Sequence, residues 1–318
     1  MILTVTLNPA LDKTLLIDSL KVHDTNRIRS LEIDPGGKGI NVSRLLKELG
    51  TSTVASGFIG GDAGRYIESC LHRQAVRTEF VEIKGVTRTN IAVVEKEIEA
   101  PPTTFNETGP DISAVELEEL ERRLSTLMHE ADMVAIGGSL PPGVPNETYA
   151  RFIRLAADCR AMTVLDAEGT PFNLGVEAGP TMIKPNLREA ERITGRRLKS
   201  ESDILLAARE LQRRGVKIVV ISMGARGAIA VDDKAWKATP PRVESFSTIG
   251  SGDSMIAGIL YGLMRGETFA EALSWGSAAG AATAATPGTA VGSLEDIRKL
   301  KPAVKVEQLL LENDCENR

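Results

Sequence analysis

Short apolar segments rich in β-branched residues alternate with amphipathic stretches along most of the 318-residue chain. The apolar segments include residues 2–7, 53–58, 133–136, 162–165 and 218–221. Stretches between them, such as 40–49 and 113–127, carry apolar residues at helical spacing. Because parallel strands need long crossovers, which are usually helices, this alternation indicates an α/β fold. We predict a mostly parallel central sheet with helices on both faces.

Open sheets of this kind bind their ligands beyond the carboxyl ends of the strands. Loops that are distant in sequence should therefore meet at one edge of the sheet. These loops are 8–12, 36–41, 137–142, 184–189, 222–227 and 250–253. Two segments, 13–34 and 83–106, interrupt the alternation with further strand-like runs. We expect them to form a small second sheet across the cleft, a lid inserted into one domain that spans residues 1–318.

The composition disfavours several classes of function. Aromatic residues make up only 4% of the chain, which argues against stacking surfaces for single-stranded nucleic acid. The net charge is −5 without a long basic run, which argues against a nucleic-acid partner or a membrane surface. No signal peptide or transmembrane-length segment is recognisable. Three widely separated cysteines favour a reducing, cytoplasmic setting over disulfides or a zinc site.

The segment Thr248–Ala257 carries the strongest chemical signal. It reads TIGSGDSMIA, and we predict a strand over 243–249 followed by a helix. Gly250 and Gly252 allow a sharp turn and a close approach of a ligand, and a helix N-terminus favours an anion. Asp253 in the same turn could accept a proton from a hydroxyl while backbone amides stabilise a phosphoryl group. The structural alternative is that Asp253 only supports the helix dipole.

Two further motifs have both a ligand-binding and a structural interpretation. The glycine-rich stretch 36–39 lacks Walker A spacing, but with Lys38 and Asn41 it could bind an anion and sugar hydroxyls. An ordinary glycine-rich helix start is the alternative. Asn186 and Glu189 are three residues apart and could share a Mg²⁺ ion, whereas helix capping by Asn186 is the alternative.

Two other features remain open in the same way. Arg27 and Arg88 fall on the two lid segments, where two guanidinium groups could bind a phosphate, although most arginines are solvated surface residues. Residues 222–227 follow an apolar strand and could form a nucleotide-binding turn or a plain hairpin turn. The near-continuous run of small residues at 278–285 indicates a helix that packs closely against another helix or a flat ring.

Two separated motifs give the chain a family resemblance. The motifs PGGKGIN at 35–41 and TIGSGDS at 248–254, in this order, resemble those of the PfkB carbohydrate kinases. The chain also resembles the phosphosugar branch at 4–12, 138–143 and 184–186. That branch contains 1-phosphofructokinase, tagatose-6-phosphate kinase and the minor 6-phosphofructokinase. The resemblance covers essentially the whole chain and implies a ribokinase-like three-layer sandwich with a β-sheet lid.

The resemblance also implies an activity and a set of roles. The activity is transfer of the γ-phosphoryl group of ATP, with Mg²⁺, to a ketohexose phosphate. Asp253 would be the general base, and the turn formed by Gly250, Ser251 and Gly252 would be the anion hole. The residues that would bind the sugar are Asp12, Gly37, Lys38, Asn41 and Asn90, and those that would bind its phosphate are Arg27, Arg88 and Ser139. The nucleotide would be bound by Lys184, Ser222, Gly224, Gly227, Thr248 and Gly252. Mg²⁺ would be bound by Asn186 and Glu189. Because the lid of relatives often forms a dimer interface, we expect a homodimer.

Two positions rank the substrates. At position 38, the lysine resembles the motif of the fructose-1-phosphate and tagatose-6-phosphate enzymes. At position 90, the asparagine resembles the motif of the phosphofructokinases more than that of the tagatose enzymes. Together they favour fructose 1-phosphate, with 6-phosphofructokinase and tagatose-6-phosphate kinase activities as alternatives. A non-catalytic sugar-phosphate sensor on the same fold is the alternative of another class. The retained Asp253 disfavours it, and no GxGxxG motif follows the first strand to indicate a nicotinamide-dependent oxidoreductase. The stretch 97–103 departs from the usual short lid hairpin and receives no predicted role.

Overall fold

The computed structural model describes residues 1–96, 102–246, 248–286, 288 and 290–309. The strands are β1 (Ile2–Thr6), β2 (Ala10–Ile17), β3 (Ser30–Gly36), β4 (Thr53–Ile59), β5 (Arg77–Glu82), β6 (Arg88–Glu95), β7 (Thr103–Asn106), β8 (Met133–Gly137), β9 (Met162–Asp166), β10 (Met182–Ile183), β11 (Ile218–Ser222), β12 (Ala228–Val231), β13 (Ala235–Thr239) and β14 (Lys305–Gln308). The α-helices are α1 (Lys38–Glu48), α2 (Gly61–Arg73), α3 (Ala114–Glu130), α4 (Thr148–Asp158), α5 (Gly169–Glu177), α6 (Leu187–Thr194), α7 (Glu201–Arg213), α8 (Ser251–Met264), α9 (Phe269–Ala284) and α10 (Leu294–Leu300). Two short 3₁₀ helices span Gly224–Arg226 and Lys301–Ala303.

The central sheet has ten strands in the order β14-β13-β12-β11-β10-β9-β8-β1-β4-β5. All neighbours from β11 to β5 are parallel, whereas β12, β13 and β14 form an antiparallel edge. The predicted mostly parallel sheet is therefore confirmed.

Helices cover both faces of this sheet because successive side chains of each strand point to opposite sides. Leu3 and Val5 of β1 pack into one hydrophobic cluster together with α3, α4 and α7. Ile2 packs into a second cluster that contains side chains of α1, α8 and α9. A smaller cluster lies beneath α2. These layers form the predicted three-layer sandwich.

Glycines allow α8 and α9 to approach each other very closely. A Cβ atom at Gly258 would lie 2.6 Å from the carbonyl oxygen of Trp275, and one at Gly262 would lie 2.6 Å from the Cα atom of Ala272. Part of the small-residue run predicted to pack closely thus lies on a helix, α9, that packs against α8. This contact fixes the direction of α8, whose N-terminus carries Asp253.

The lid is a separate four-stranded sheet with the order β3-β2-β6-β7. The segments predicted at 13–34 and 83–106 correspond to strands within 10–36 and 88–106. Strands β2 and β6 pair in parallel, and the two outer pairings are antiparallel. Residues 97–101 lie outside the described part of the chain, and so does most of the stretch that received no predicted role.

The strand predicted over 243–249 was wrong. No strand is present at the described residues 243–246, 248 and 249. The preceding residues Pro240 and Pro241 line a cavity and do not continue β13, and the backbone N–H of Phe246 donates to the carbonyl of Ala284 instead of to a strand. The β-branched residues of this segment thus lie in a loop held against α9.

Among the described helices, none is long and apolar enough to cross a membrane.

Candidate active site

The carboxyl ends of the parallel strands open into a cavity of about 740 Å³. Asp166 ends β9, Lys184 follows β10 and Ser222 ends β11, and all three line it. The N-terminus of α8 closes one side with Gly252 and Asp253. The structure therefore brings together four of the loops that the sequence places at this edge of the sheet, those of residues 36–41, 184–189, 222–227 and 250–253.

Asp253 lies in the first turn of α8 with only 8% of its surface exposed. Gly250, immediately before the helix, has φ of 75°, a left-handed conformation that favours glycine. The side-chain amide of Asn41 donates to Asp253 Oδ2 at 2.8 Å and so orients the carboxylate. Burial, reinforced by the negative charge of Asp166, raises the pKa of Asp253 to about 6. Such a carboxylate is ionised at neutral pH and still basic enough to accept a proton.

Asp166 is a central residue that the sequence analysis missed. Its carboxylate accepts from Lys38 Nζ at 2.6 Å and forms an ion pair with Lys184 Nζ at 3.3 Å. The Lys184 ammonium also reaches the turn at 250–252, because it lies 3.0 Å from where a Cβ atom of Gly252 would be. The signal was available, since Asp166 follows an apolar strand as Lys184 does.

The charges of Asp166, Lys38 and Lys184 shift the pKa values of their neighbours. Burial opposes ionisation of Asp166, but Lys184 and Lys38 outweigh it, so the pKa of Asp166 lies below its usual value. Burial likewise disfavours the charged form of Lys38, but Asp166 and Asp253 outweigh it and raise the pKa of that ammonium. Lys38 therefore stays protonated beside Asp253, and the ammonium group of Lys184 lies on the other side of Asp166. That arrangement suits a ligand with several negative charges.

The lid contributes Asp12 and Asn90 at one end of its strands. Asn90 Nδ2 donates to Asp12 Oδ1 at 3.0 Å, and burial raises the pKa of Asp12. A side chain at Gly36 would overlap the carboxylate of Asp12, so glycine is required there for the carboxylate to fit. Gly37 follows with φ of 128° directly before α1.

Arg88 and Ser139 come together on the lid side of the cleft. Arg88 Nη2 lies 3.5 Å from Ser139 Oγ and donates to the carbonyl of Asn8 at 2.9 Å. The side-chain amide of Asn8 also donates to Ser139 Oγ at 3.2 Å. Burial lowers the pKa of Arg88, which nevertheless remains a cation. Two of the three residues predicted to hold a phosphate, Arg88 and Ser139, thus lie together, and Asn8 is a neighbour that the sequence analysis did not single out.

Arg27 is not brought to this group within the chain. It lies in the exposed connection between β2 and β3. Asp12 pairs with Asp34 near one end of these strands, whereas Leu16 pairs with Ser30 at the other end, next to that connection. Four residues of strand correspond to about 13 Å. The predicted convergence of two arginines is therefore not present in the single chain.

Three asparagine side chains have buried amide oxygens without a hydrogen-bond partner among the described residues. They are those of Asn8, Asn41 and Asn90. Each amide nitrogen of the three donates to a neighbouring group, which fixes its oxygen as an acceptor. Unpartnered buried acceptors are rare in native structures, and here they accompany Asp12 and Asp253. The cleft can therefore accept hydrogen bonds from a ligand rich in hydroxyl groups.

The two residues predicted to bind Mg²⁺, Asn186 and Glu189, form a helix cap. Asn186 Oδ1 accepts from the backbone N–H of Glu189 at 2.9 Å, and Glu189 Oε2 accepts from the N–H of Asn186 at 2.7 Å. Glu189 also lines the cavity with Asp166, and oxygen donors suit Mg²⁺. No group of three or more potential ligands among His, Cys, Asp and Glu is assembled in the described ranges. The residues fit a Mg²⁺ ion that keeps several of its water ligands.

The predicted nucleotide residues all line the same cavity. They are Lys184, Ser222, Gly224, Gly227, Thr248 and Gly252. Residues 222–227 also connect the antiparallel pair β11 and β12, so the hairpin interpretation holds as well. A side chain at Gly227, where φ is 89°, would overlap the carbonyl of Ala238. The tight turn therefore brings its backbone close to this wall of the cavity, which Arg226 of the same turn also lines.

Comparison with known proteins identifies the family. The model of the pfkB family carbohydrate kinases matches residues 5–297. The chain belongs to this family. It is 33% identical over 311 residues to the 1-phosphofructokinase of Borreliella burgdorferi, covering 97% of this chain and 99% of that one. It is 35% identical over 284 residues to the tagatose-6-phosphate kinase of Staphylococcus epidermidis, covering 88% and 91%.

The solved structures agree with this assignment. Phosphofructokinase-2 from Escherichia coli resembles this kinase with a TM-score of 0.89 and 31% identity, covering 95% of this chain and 98% of that one. The resemblance to the PfkB kinases and the ribokinase-like fold are confirmed. The protein is a sugar kinase, and its family implies ATP as the co-substrate.

Replacement of Asp166 by Asn should destabilise the protein, because it leaves the buried ammonium group of Lys184 and the partly buried one of Lys38 without their shared countercharge. Breaking a buried ion pair typically costs about 3–5 kcal/mol. Urea unfolding at neutral pH measures the loss. The matched control is Asp18→Asn, which breaks an exposed ion pair with Arg29 and should change stability little. Equal effects of the two replacements would contradict the central role of Asp166.

Proposed function

We propose that this kinase transfers the γ-phosphoryl group of ATP to a hydroxyl group of a ketohexose phosphate, with Mg²⁺ bound alongside the nucleotide. Fructose 1-phosphate is the favoured acceptor, which would give fructose 1,6-bisphosphate. Fructose 6-phosphate and tagatose 6-phosphate are the alternatives. The observation that carries the proposal is the buried Asp253 at the N-terminus of α8, beside Lys38 and Lys184.

In this reaction Asp253 accepts the proton of the attacking hydroxyl. The Asn41 amide holds the carboxylate in place. The backbone N–H groups of residues 250–252 and the ammonium groups of Lys38 and Lys184 face the negative charge on the transferring group. Mg²⁺, bound with ATP, supplies further positive charge to the phosphate oxygens. The chain's main contribution is positioning and charge stabilisation, which dominate phosphoryl transfer.

The lid side of the cleft supports an acceptor that is a phosphorylated sugar. The carboxylate of Asp12 and the unpartnered oxygens of Asn41 and Asn90 accept hydrogen bonds from sugar hydroxyls. Arg88 and Ser139 bind the phosphate group that the sugar already carries. Arg27 remains a prediction for the same phosphate. The printed names of the two relatives, which differ in their sugar, support the class of acceptor and leave its identity to experiment.

We further propose a cytoplasmic homodimer that forms through the lid of a single kinase domain. The register of the lid strands places Asp12, Asp34 and Asn90 on one face. Leu15, Leu31, Ile33, Ile91 and Phe105 lie on the opposite face. Leu31 is 48% exposed and Phe105 is 57% exposed. Exposed apolar residues at matching sheet positions are typical of an interface between copies.

The general base predicts both a rate loss and a pH profile. Asp253→Asn should lower kcat by about 10²–10⁴-fold in a coupled ADP-release assay. The base must be ionised to act, so kcat/KM of the native kinase should fall as the pH drops through about 6 and level off above it. The control is Asp62→Asn, which removes a carboxylate from the first turn of α2 and should leave the rate unchanged. If Asp253→Asn lowered kcat no more than the control Asp62→Asn does, the result would support the helix-dipole interpretation of Asp253.

Arg88→Ala should weaken the use of phosphorylated sugars. A lost charge-assisted hydrogen bond corresponds to roughly a 10- to 100-fold decrease in kcat/KM. The assay compares fructose 1-phosphate, fructose 6-phosphate, tagatose 6-phosphate and unphosphorylated fructose, and fructose 1-phosphate should have the highest kcat/KM with the native kinase. Arg29→Ala, which alters an exposed lid arginine paired with Asp18, is the control. An equal loss for fructose itself would remove the phosphate-binding role.

Charge on the apolar lid face should separate the subunits. Leu31→Lys combined with Phe105→Lys should convert a dimer into a monomer in size-exclusion chromatography with light scattering, because an ammonium group is costly to bury without a partner. Leu206→Lys, at a 55% exposed apolar residue of α7, is the control and should leave the mass unchanged. A native mass of one subunit, or a lid variant that stays dimeric, would contradict the lid interface.

A further inference from the structure

A buried tyrosine of α4 bonds the turn that follows β8. Tyr149 is fully buried, and its hydroxyl group donates to the carbonyl oxygen of Gly138 at 3.1 Å, with the carbonyl oxygen of Gly137 at 3.3 Å. Burial raises the pKa of Tyr149, so the hydroxyl keeps its proton and remains a donor at neutral pH. A phenylalanine would fill the same space. What the tyrosine adds is therefore its hydrogen bond to this turn.

Hydrogen bonds, rather than packing, hold the centre of the turn at 137–139. Gly138 has φ of 97°, a conformation that residues other than glycine rarely adopt. A Cβ atom at this position would meet no atom of a more distant residue within 4 Å, so packing does not fix the turn here. The N–H of Gly138 donates to the backbone carbonyl of Asp166 at 3.0 Å, and its carbonyl accepts from Tyr149. These two bonds fix the peptide groups on either side of Gly138.

The bond to Tyr149 decides the direction of the backbone N–H of Ser139. In a trans peptide the carbonyl oxygen of one residue and the N–H of the next point in opposite directions. The carbonyl of Gly138 points toward the buried Tyr149, so the N–H of Ser139 points away from this part of the core. Within the described part of the chain this N–H makes no hydrogen bond, and Ser139 is exposed. The N–H is therefore available to a ligand.

Two further donors lie beside this N–H. The Ser139 hydroxyl accepts from Asn8 and can still donate its own hydrogen, and the guanidinium group of Arg88 lies 3.5 Å from Ser139 Oγ. Hydrogen bonds from a cation to a phosphate oxygen are about twice as strong as neutral ones, and additional donors add geometric specificity. A phosphate group can therefore use Ser139 fully only while the turn keeps its orientation.

We propose that Tyr149 is a positioning residue for the phosphate group of the acceptor. Its hydroxyl holds the peptide of residues 138–139, so that Ser139 offers its N–H together with its side-chain hydroxyl to that phosphate. The inference rests on the proposed function, in which Arg88 and Ser139 bind the phosphate that the sugar already carries. Tyr149 is buried behind the turn and contacts no substrate. Its removal should therefore weaken binding of the acceptor and leave the chemical step unchanged.

Steady-state kinetics of Tyr149→Phe tests this role. The acceptor is the best substrate of the native kinase among fructose 1-phosphate, fructose 6-phosphate and tagatose 6-phosphate. The replacement should raise the KM for that acceptor about 3- to 10-fold, the range for one neutral hydrogen bond. The kcat and the KM for ATP should stay unchanged, because a contact that stabilises ground state and transition state equally affects only the KM of its own substrate. The melting temperature should fall, since the carbonyl of Gly138 loses its partner.

Phe152→Leu is the matched control for the loss of stability. Phe152 is another buried aromatic residue of α4, and it has no hydroxyl group that could bond the turn. Its replacement removes buried apolar volume and should also lower the melting temperature. The KM for the acceptor should stay at the native value. The comparison separates positioning of the turn from general destabilisation of α4.

Three results would overturn the assignment of Tyr149. They are an unchanged KM for the acceptor in Tyr149→Phe, a comparable change in kcat or in the KM for ATP, and an equal rise of the acceptor KM in Phe152→Leu. If the native kinase phosphorylates none of the three sugar phosphates, the proposed function fails first, and the Tyr149 assignment fails with it. Native turnover combined with any of the three results rejects the role of Tyr149 alone.

Discussion

The ion pairs of Asp166 with Lys38 and Lys184 are the interaction on which the site depends. They hold two ammonium groups in a secluded cavity, which neither lysine would tolerate without a countercharge. They also set the electrostatic environment of Asp253, because a nearby negative charge adds to burial in raising its pKa while the lysines moderate the effect. The positive charge that suits an anionic ligand and the raised pKa of the Asp253 carboxylate thus arise from one group of residues.

Most of the fold could be predicted because its signals are local. A capping box at Ser113 and Glu116 starts α3 where the sequence places it, and the apolar strand 133–136 is part of β8. The antiparallel edge could not be read in the same way, since β12 and β13 are strands of only four and five residues and β14 pairs with β13, which is distant in sequence. The strand predicted at 243–249 fails for a related reason. Its β-branched residues lie in a loop whose backbone bonds α9, a contact that no local pattern encodes.

The candidate site divides along a similar line. Glycine-rich turns and strand ends locate Asp253, Lys184 and Ser222, because their positions follow from the α/β alternation. Asp166 shares this position and was missed, since a single acid after a strand has no motif of its own. Arg27 stays a prediction, because falling on a lid segment says nothing about which end of the hairpin it occupies. Interactions that depend on side-chain direction, such as the unpartnered amide oxygens of Asn8 and Asn41, appear only in three dimensions.

The close glycine contacts between α8 and α9 have a consequence for adaptability. Two helices that cannot admit even a methyl group between them behave as one stiff body, so the turn at 250–252 keeps a constant position relative to α9. Changes that adapt the kinase to another ligand are therefore easier to accommodate in the lid, a separate sheet that packs against α1 and α2.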